Sequence, residues 1–224
     1  MADKILIVVA HPDDETLSMG GTIRKHVEKG DEVFAISMTD GVGARGKLAT
    51  EIRLRRSAAI EASEVLGFKW YKSFCFKDNE MDSYPLLRII KEIEAVKEQI
   101  GPNIIYTHSA SDLNVDHQIV SRAVLTAVRP QPKERCKEIR LFEVPSASDY
   151  GHYSITGGFF PNLFINIMDT WDSKEKALAC YHKEMRSYPH SRSMGGVENL
   201  AKIRGNQVGF NYAEAFEVIR KLVD

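Results

Sequence analysis

Three side chains that follow the first apolar stretch of the chain indicate a metal site. Ile5 to Val9 is a short run of β-formers, Pro12 ends it, and His11, Asp13 and Asp14 lie at its end. A neutral imidazole and carboxylates suit a borderline divalent metal, zinc first, and a catalytic zinc has three protein ligands and one open position. His11 and one aspartate would supply two ligands, and the other aspartate would act as general base.

A plainer interpretation of the same residues remains open at this point. Asp13 or Asp14 would cap the helix that begins near Thr16, and His11 would be an ordinary buried histidine at a strand end. The catalytic interpretation therefore needs a third ligand from elsewhere in the chain.

A second strand end supplies the candidate for that ligand. Residues 103–107 are predicted as a strand, and the apolar spacing over residues 119–128 predicts a helix. His117 then projects from the first turn of that helix at the carboxyl edge of the sheet, where open α/β folds bind their ligands. The alternative is that Asp112 or Asn114 caps the helix and His117 is an ordinary first-turn residue.

The elements that position these residues alternate along the chain. Strands are predicted over residues 5–9, 32–38, 70–76 and 103–107, and helices over residues 17–29, 50–66 and 86–100. This alternation predicts a single domain, residues 1–224, with a Rossmann-like three-layer α/β/α fold and a mainly parallel sheet. The active site is expected at the carboxyl ends of the strands. The last third is predicted to contain strands over residues 138–144 and 162–167 and helices over residues 172–185 and 212–222.

A glycine-rich loop over residues 39–46 is expected on the same edge of the sheet. Asp40 offers a carboxylate and Arg45 a fork of donors, so both are candidates for binding a polar substrate. A merely flexible connection is the alternative. Gly20 and Gly21, in the first predicted helix, are expected to let that helix pack closely on the first strand.

Charge and composition limit the classes of partner. The chain has 30 Lys and Arg and 31 Asp and Glu, interspersed, so no basic patch for nucleic acid or a membrane surface is expected. A small-molecule substrate is the default. The sequence contains neither an apolar run near twenty residues nor a signal-peptide pattern, and its three cysteines form no CxxC pair. A cytoplasmic protein without a membrane span and with reduced thiols is therefore expected.

The two motifs also carry a family resemblance. AHPDDE at residues 10–15 and SDLNVDH at residues 111–117 resemble the PIG-L/LmbE-type family of zinc-dependent de-N-acetylases, which act mostly on N-acetylglucosaminyl groups. The resemblance covers nearly all of the chain. It extends through the Asp40-Gly41 loop to a carboxyl-terminal stretch with Tyr181, Glu184 and the sequence PHSRS at residues 189–193.

The resemblance implies a ligand set and a reaction. One zinc ion per chain would be bound by His11, Asp14 and His117, and Asp13 would be the general base that takes a proton from the attacking water. The substrate would be an N-acetylated or otherwise N-acylated amino-sugar derivative or glycoconjugate. A site of two histidines and one aspartate would also accept iron or cobalt. Family members often form homo-oligomers, which the sequence neither supports nor excludes.

The chain departs from the family pattern at one position. Several characterised members have a histidine three residues before the last zinc ligand, whereas this chain has Asn114. An amide can donate a hydrogen bond to an oxyanion but cannot act as an imidazolium acid. Either Asn114 is a neutral donor, or His108 or His190 takes the role. Arg192, in the same polar loop as His190, is expected on the substrate side.

Two other functions are alternatives to deacetylation. Dinucleotide-dependent redox chemistry on the same architecture is disfavoured, because no GxGxxG follows the first strand. A non-catalytic metal-binding or sugar-binding module remains an alternative. Such a module has no use for an unligated carboxylate beside the metal, so Asp13 discriminates between the two.

Overall fold

Seven strands form one sheet in the part of the chain that the computed structural model describes, residues 2–45, 49–132 and 134–223. The strands are β1 (Lys4–Val9), β2 (Glu32–Thr39), β3 (Lys69–Phe76), β4 (Ile104–His108), β5 (Glu138–Phe142), β6 (Leu163–Asn166) and β7 (Ala213–Lys221). Their order across the sheet is β3-β2-β1-β4-β5-β7-β6. The strands from β3 to β5 are parallel, and β7 pairs antiparallel with both β5 and β6.

Helices cover both faces of this sheet. They are α1 (Asp14–Lys29), α2 (Ala49–Leu66), α3 (Leu86–Ile100), α4 (Val115–Ala127), α5 (Tyr153–Thr156), α6 (Trp171–Cys180) and α7 (Met194–Asn206). One core lies between the sheet and α1, α2, α6 and α7, and a second core lies between the sheet and α3 and α4. The predicted three-layer α/β/α fold with a mainly parallel sheet is confirmed.

Strand β1 lies at the centre of both cores. Ile5, Ile7 and Val9 face one core, whereas Leu6 and Val8 face the other, which explains the absence of polar alternation in this strand. Its parallel pairing with β2 and β4 aligns the carboxyl ends of the three strands. The loops that follow β1 and β4 therefore meet at one edge of the sheet.

The predicted helix over residues 212–222 is wrong, because this segment forms strand β7. Ala213, Phe216 and Ile219 have the spacing of a helix face, which misled the prediction. The first four residues of β7 are all buried, between β5 and β6, so the strand shows no alternation of apolar and polar side chains there. A strand covered on both faces cannot be told from a helix by periodicity alone.

Two further details differ from the prediction. Helix α6 ends at Cys180, and the residues predicted to extend it to position 185 instead begin a loop toward the carboxyl edge of the sheet. The glycines of α1 do not serve close packing on β1. A Cβ added at Gly21 would lie 2.7 Å from Ile167 Cβ, and one added at Gly20 would lie 3.1 Å from Lys174 Cγ. They make room for Ile167, which follows β6, and for the side chain of Lys174 in α6.

No helix among the described residues is both long enough and apolar enough to cross a membrane.

Candidate metal centre and active site

The turn between β1 and α1 places two of the predicted ligands side by side. The backbone N–H of His11 donates to Asp14 Oδ2 at 2.9 Å, and His11 Nδ1 lies 3.2 Å from the same oxygen. Both residues are buried. The hydrogen bond closes the turn, so the imidazole and the carboxylate converge on one point.

Helix α4 brings the third predicted ligand to the same point. Asn114 is the N-cap of α4, and its side-chain oxygen accepts from the backbone N–H groups of Asp116 and His117 at 2.8 and 3.4 Å. This cap fixes the first turn of the helix. His117 Nε2 consequently lies 3.2 Å from His11 Nδ1 and 3.4 Å from Asp14 Oδ2.

The three atoms fit a bound divalent metal ion. Zinc bonds of about 2.0–2.1 Å place the ligands of a tetrahedral site about 3.3 Å from one another. The separations here are 3.2, 3.2 and 3.4 Å. The other oxygen of Asp14 is buried and has no hydrogen-bond partner among the described residues. A cation at the centre would satisfy all three side chains, and these donor types suit zinc, iron or cobalt.

Carboxylates lie behind both histidines. His117 Nδ1 is 2.8 Å from Asp112 Oδ2. His11 Nε2 is 3.1 Å from Asp78 Oδ1 and 3.2 Å from Asp116 Oδ2. With a metal bound, the ring nitrogens that face these outer carboxylates, His117 Nδ1 and His11 Nε2, would carry the protons, and the other nitrogen of each ring would bind the metal. This arrangement orients the rings and strengthens them as ligands.

The charges in the cluster keep Asp14 ionised. Burial opposes the charge, but His117 and His11 hold the pKa of the Asp14 carboxyl well below its usual range. Burial likewise opposes a charge on His11, whereas Asp116 and Asp14 raise the pKa of its imidazole well above the ordinary value. An ionised aspartate is the form that binds metal.

His108 lies beneath this site rather than in it. Its ring stacks on His117 with centroids 3.9 Å apart, and its Nε2 accepts from the backbone N–H of Ala10 at 2.8 Å. Burial lowers the pKa of His108 to about 4. It does not line the cavity over the site. His108 is therefore a neutral packing residue and is not placed to replace the family histidine.

Asp13 occupies the N-cap position of α1, yet its side chain makes no capping hydrogen bond. Its backbone has a φ of 137°, which turns the carboxylate away from the helix. Oδ2 accepts from Arg55 Nη1 at 3.0 Å and from Arg192 Nη1 at 3.3 Å. Oδ1 is buried and has no hydrogen-bond partner among the described residues. The plainer interpretation of Asp13 as a helix cap does not hold.

Arg55 is a residue of this site to which the sequence analysis gave no role. It is buried, pairs with Asp13 and with Glu184 at 3.3 Å, and donates to the backbone carbonyl of Gly41 at 3.0 Å. A signal was present in the sequence. Arg55 precedes Ala59 by four residues, so it lies on the buried face of α2.

Replacing Arg55 by Met should destabilise the fold strongly. Removing one partner of a buried ion pair leaves uncompensated carboxylates, and we expect the free energy of unfolding to fall by about 3–5 kcal/mol. Urea unfolding followed by circular dichroism measures the change. Arg53→Met, at an exposed position on the same helix, should change it by less than about 0.5 kcal/mol. Equal losses in the two variants would contradict the buried ion pair.

An open cavity of about 230 Å³ lies over the metal ligands. Asp13, Asn114, His190 and Arg192, all predicted as site residues, line it together. The remaining lining residues are His11, Gly41, Arg55, Asp78, Asn79, His117, Ser146, Ala147 and Arg186.

Of the two residues predicted to bind substrate from the glycine-rich loop, Asp40 does not reach the cavity. Asp40 Oδ1 accepts from the backbone N–H groups of Val42 and Gly43 at 3.0 and 3.1 Å, so it holds its own turn. It is not among the residues that line the cavity. The prediction for the Arg45 side chain lies outside the described residues.

Asn79 is a second lining residue that sequence reasoning missed. Its backbone N–H donates to Asp116 Oδ2 at 2.7 Å, and its side-chain oxygen accepts from Asn114 Nδ2 at 3.0 Å. It has a positive φ of 55°. The side-chain oxygen of Asn114 accepts from the start of α4, so only its NH2 group can donate. One N–H of that group bonds Asn79, and the other has no acceptor among the described residues. Asn is enriched at positive φ, which is the one signal available in the sequence.

Comparison with known proteins agrees with this geometry. The PIG-L family model, described as GlcNAc-PI de-N-acetylase, matches residues 6–128. A probable N-acetyl-alpha-D-glucosaminyl L-malate deacetylase 2 of Bacillus cereus is 25% identical in an alignment of 197 positions that covers 82% of this chain and 84% of that protein. The 4-oxalmesaconate hydratase of Pseudomonas putida is 27% identical in an alignment of 195 positions that covers 78% of this chain and 71% of that protein.

A solved structure shares the fold. N,N'-diacetylchitobiose deacetylase from Pyrococcus horikoshii superposes with a TM-score of 0.80 at 21% identity, over 98% of this chain and 84% of that chain. The family match spans more than half of the chain and includes both metal-ligand motifs. The resemblance predicted from those motifs is confirmed, and the chain belongs to the PIG-L family of de-N-acetylases.

Proposed function

We propose that this chain is a metal-dependent hydrolase that removes the N-acetyl group of an amino-sugar derivative, with Asp13 as general base. The observation that carries the proposal is the free Oδ1 of Asp13, buried beside three convergent ligand atoms at the floor of a cavity. A site that only stores a metal has no use for this carboxylate. Family membership and the deacetylase relatives support the same reaction.

His11, Asp14 and His117 would hold the ion. A divalent metal bound there supplies a water of lowered pKa and polarises the acetamide carbonyl. Zinc is favoured because two imidazoles and one carboxylate, with an open position, are the ligand pattern of catalytic zinc.

Asp13 moves the proton in this proposal. Because Arg55 and Arg192 hold Oδ2, Oδ1 is the atom that accepts the proton of the attacking water and later returns it to the leaving amine. Burial raises the pKa of Asp13 above the ordinary value of a carboxyl, and the two arginines limit the rise. A raised pKa makes the carboxylate a stronger base.

The oxyanion donor comes from Asn114 or His190. One Asn114 N–H has no acceptor among the described residues, as described above. His190 Nδ1 accepts from the backbone N–H of Arg192 at 3.0 Å, so its ring proton lies on Nε2. Both residues line the cavity, and either Asn114 Nδ2 or His190 Nε2 can donate a hydrogen bond to developing negative charge.

Arg186 favours a substrate that carries a negative charge. It lines the cavity, and its guanidinium has no acidic partner among the described residues. An anionic group on the substrate would pair with it. The glucosaminyl L-malate named for the Bacillus cereus relative carries such a group, so we place this compound first among the candidates.

Amine release from a panel of N-acetylglucosaminides tests the proposal. The panel contains N-acetylglucosamine, its L-malate glycoside, diacetylchitobiose, and UDP-linked and lipid-linked forms, each with the zinc-loaded and the chelator-treated protein. We expect primary amine to appear with zinc only, fastest from the malate glycoside. No amine from any compound with fully metallated protein would overturn the proposal.

Hydration is the second candidate reaction, since one relative is a hydratase. The same preparation is therefore also assayed for hydration of 4-oxalmesaconate. Hydration without amine release would replace the deacetylase proposal. Metal binding with neither reaction would instead favour the non-catalytic module.

A further inference from the structure

Asp13 has a backbone conformation that an L-residue rarely adopts. Its φ is 137° and its ψ is −26°. Strained conformations of this kind persist only where the surrounding structure enforces them, and they cluster at functional sites. At an ordinary N-cap φ the Asp13 carboxylate would bind its own helix. The strain therefore has a consequence for function, because it turns Oδ1 into the cavity.

Glu15 is placed to enforce this conformation. Its Oε2 accepts from the backbone N–H of Asp13 at 3.0 Å. Its Oε1 accepts from Thr16 Oγ1 at 2.7 Å and from Tyr181 Oη at 2.9 Å. Glu15 is fully buried and Tyr181 is 2% exposed. Water cannot replace these bonds, so both oxygens of the carboxylate are held by protein donors alone.

We propose that Glu15 and Tyr181 are positioning residues that hold the Asp13 backbone in its strained conformation and so direct its carboxylate toward the substrate. The inference rests on the proposed role of Asp13 as base.

The segment that contains Tyr181 also holds the Asp13 side chain. Glu184, three residues further on, pairs with Arg55, and Arg55 and Arg192 both bind Asp13 Oδ2. One stretch, residues 181–192, therefore fixes the backbone of Asp13 through Glu15 and its side chain through the arginines. Neither Glu15 nor Tyr181 lines the cavity, so both act through Asp13.

Tyr181→Phe tests the proposal because it removes one buried hydroxyl and keeps the ring. We expect kcat for amine release to fall by about 10- to 100-fold, with KM and metal content unchanged, since small misplacement of a catalytic group has effects of this size. Tyr106→Phe is the matched control. Tyr106 is fully buried, and its hydroxyl bonds His26 and Arg140 far from the cavity. It should lose stability similarly and keep kcat.

A second measurement needs no substrate. Asp13→Ala and Asp13→Gly both remove the carboxylate, but only glycine relieves a positive φ. We expect the Gly variant to melt several degrees above the Ala variant, and hydrogen exchange of the Asp13 amide to be faster in Tyr181→Phe than in wild type. A Gly variant no more stable than Ala, or unchanged exchange and unchanged kcat in Tyr181→Phe, would overturn the inference. The stability and hydrogen-exchange measurements test the positioning of Asp13 even if no compound in the amino-sugar panel is turned over.

Discussion

Asp13→Asn is expected to lower kcat for amine release by about 10²- to 10⁴-fold, the usual contribution of a general base. The amide has the shape of the carboxylate and can still accept from Arg55 and Arg192, but it cannot take a proton from water. Because Asp13 is not one of the three convergent ligands, the variant should keep its metal. Amine release and metal content, measured on the same preparation, test both parts.

The control for this prediction is another carboxylate-to-amide change. Asp172 is exposed on α6, and Asp172→Asn should leave kcat and metal content as in wild type. The Asp13 variant loses a buried charge next to two arginines, so activity is measured well below its melting temperature. An Asp13→Asn protein that keeps full metal and wild-type kcat would exclude Asp13 as the base and would favour a binding-only site.

The three candidate metal ligands could be predicted to lie close together because each is local to a strand end. His11 and Asp14 follow β1 directly, and His117 lies in the first turn of the helix after β4. Parallel neighbouring strands end at the same edge of a sheet, so their loops must meet. Motif spacing and fold class were enough to bring His11, His117 and one aspartate together, and the family resemblance was needed to choose Asp14 over Asp13.

The residues that hold Asp13 could not be predicted in the same way. Tyr181 and Arg192 lie in the loop between α6 and α7, which does not directly follow a strand of the sheet. The rule that parallel strands end at one edge therefore does not place this loop. Glu15 was part of a recognised motif, but its partner lies 166 residues away. No local pattern specifies such a pair.

The ion pairs of Arg55 could not be predicted from the sequence for a related reason. Arg55 is one of three arginines in α2, and composition alone does not distinguish a buried arginine from exposed ones. Its place on the apolar face shows that it is buried, and a buried arginine needs acidic partners. Those partners, Asp13 and Glu184, come from two other parts of the fold.

His117→Ala is expected to abolish tight metal binding. It removes one of three ligands and leaves Asp112 without its imidazole partner. Metal at 1,000 times its Kd stabilises a folded protein by about 4 kcal/mol, which raises the melting temperature of a domain of this size by about 8–16 °C. Wild type should show this rise when zinc is added to the metal-free protein. The variant should not, whereas His182→Ala, at an exposed position, should behave as wild type.

Asp14→Asn then decides which ligand set is used. Three groups of side chains among the described residues could hold an ion: His11 with Asp14 and His117, His108 with Asp112 and His117, and His11 with Asp78 and Asp116. Only the first contains Asp14. In the first group one carboxylate oxygen, Asp14 Oδ1, has no hydrogen-bond partner among the described residues. The second group contains an unpartnered nitrogen, His108 Nδ1, but its carboxylate Asp112 already bonds His117 Nδ1. In the third group Asp78 and Asp116 both pair with His11 Nε2. Loss of the zinc-dependent rise in Asp14→Asn would therefore identify the first group. A full rise in this variant would place the ion elsewhere and would contradict the proposed centre.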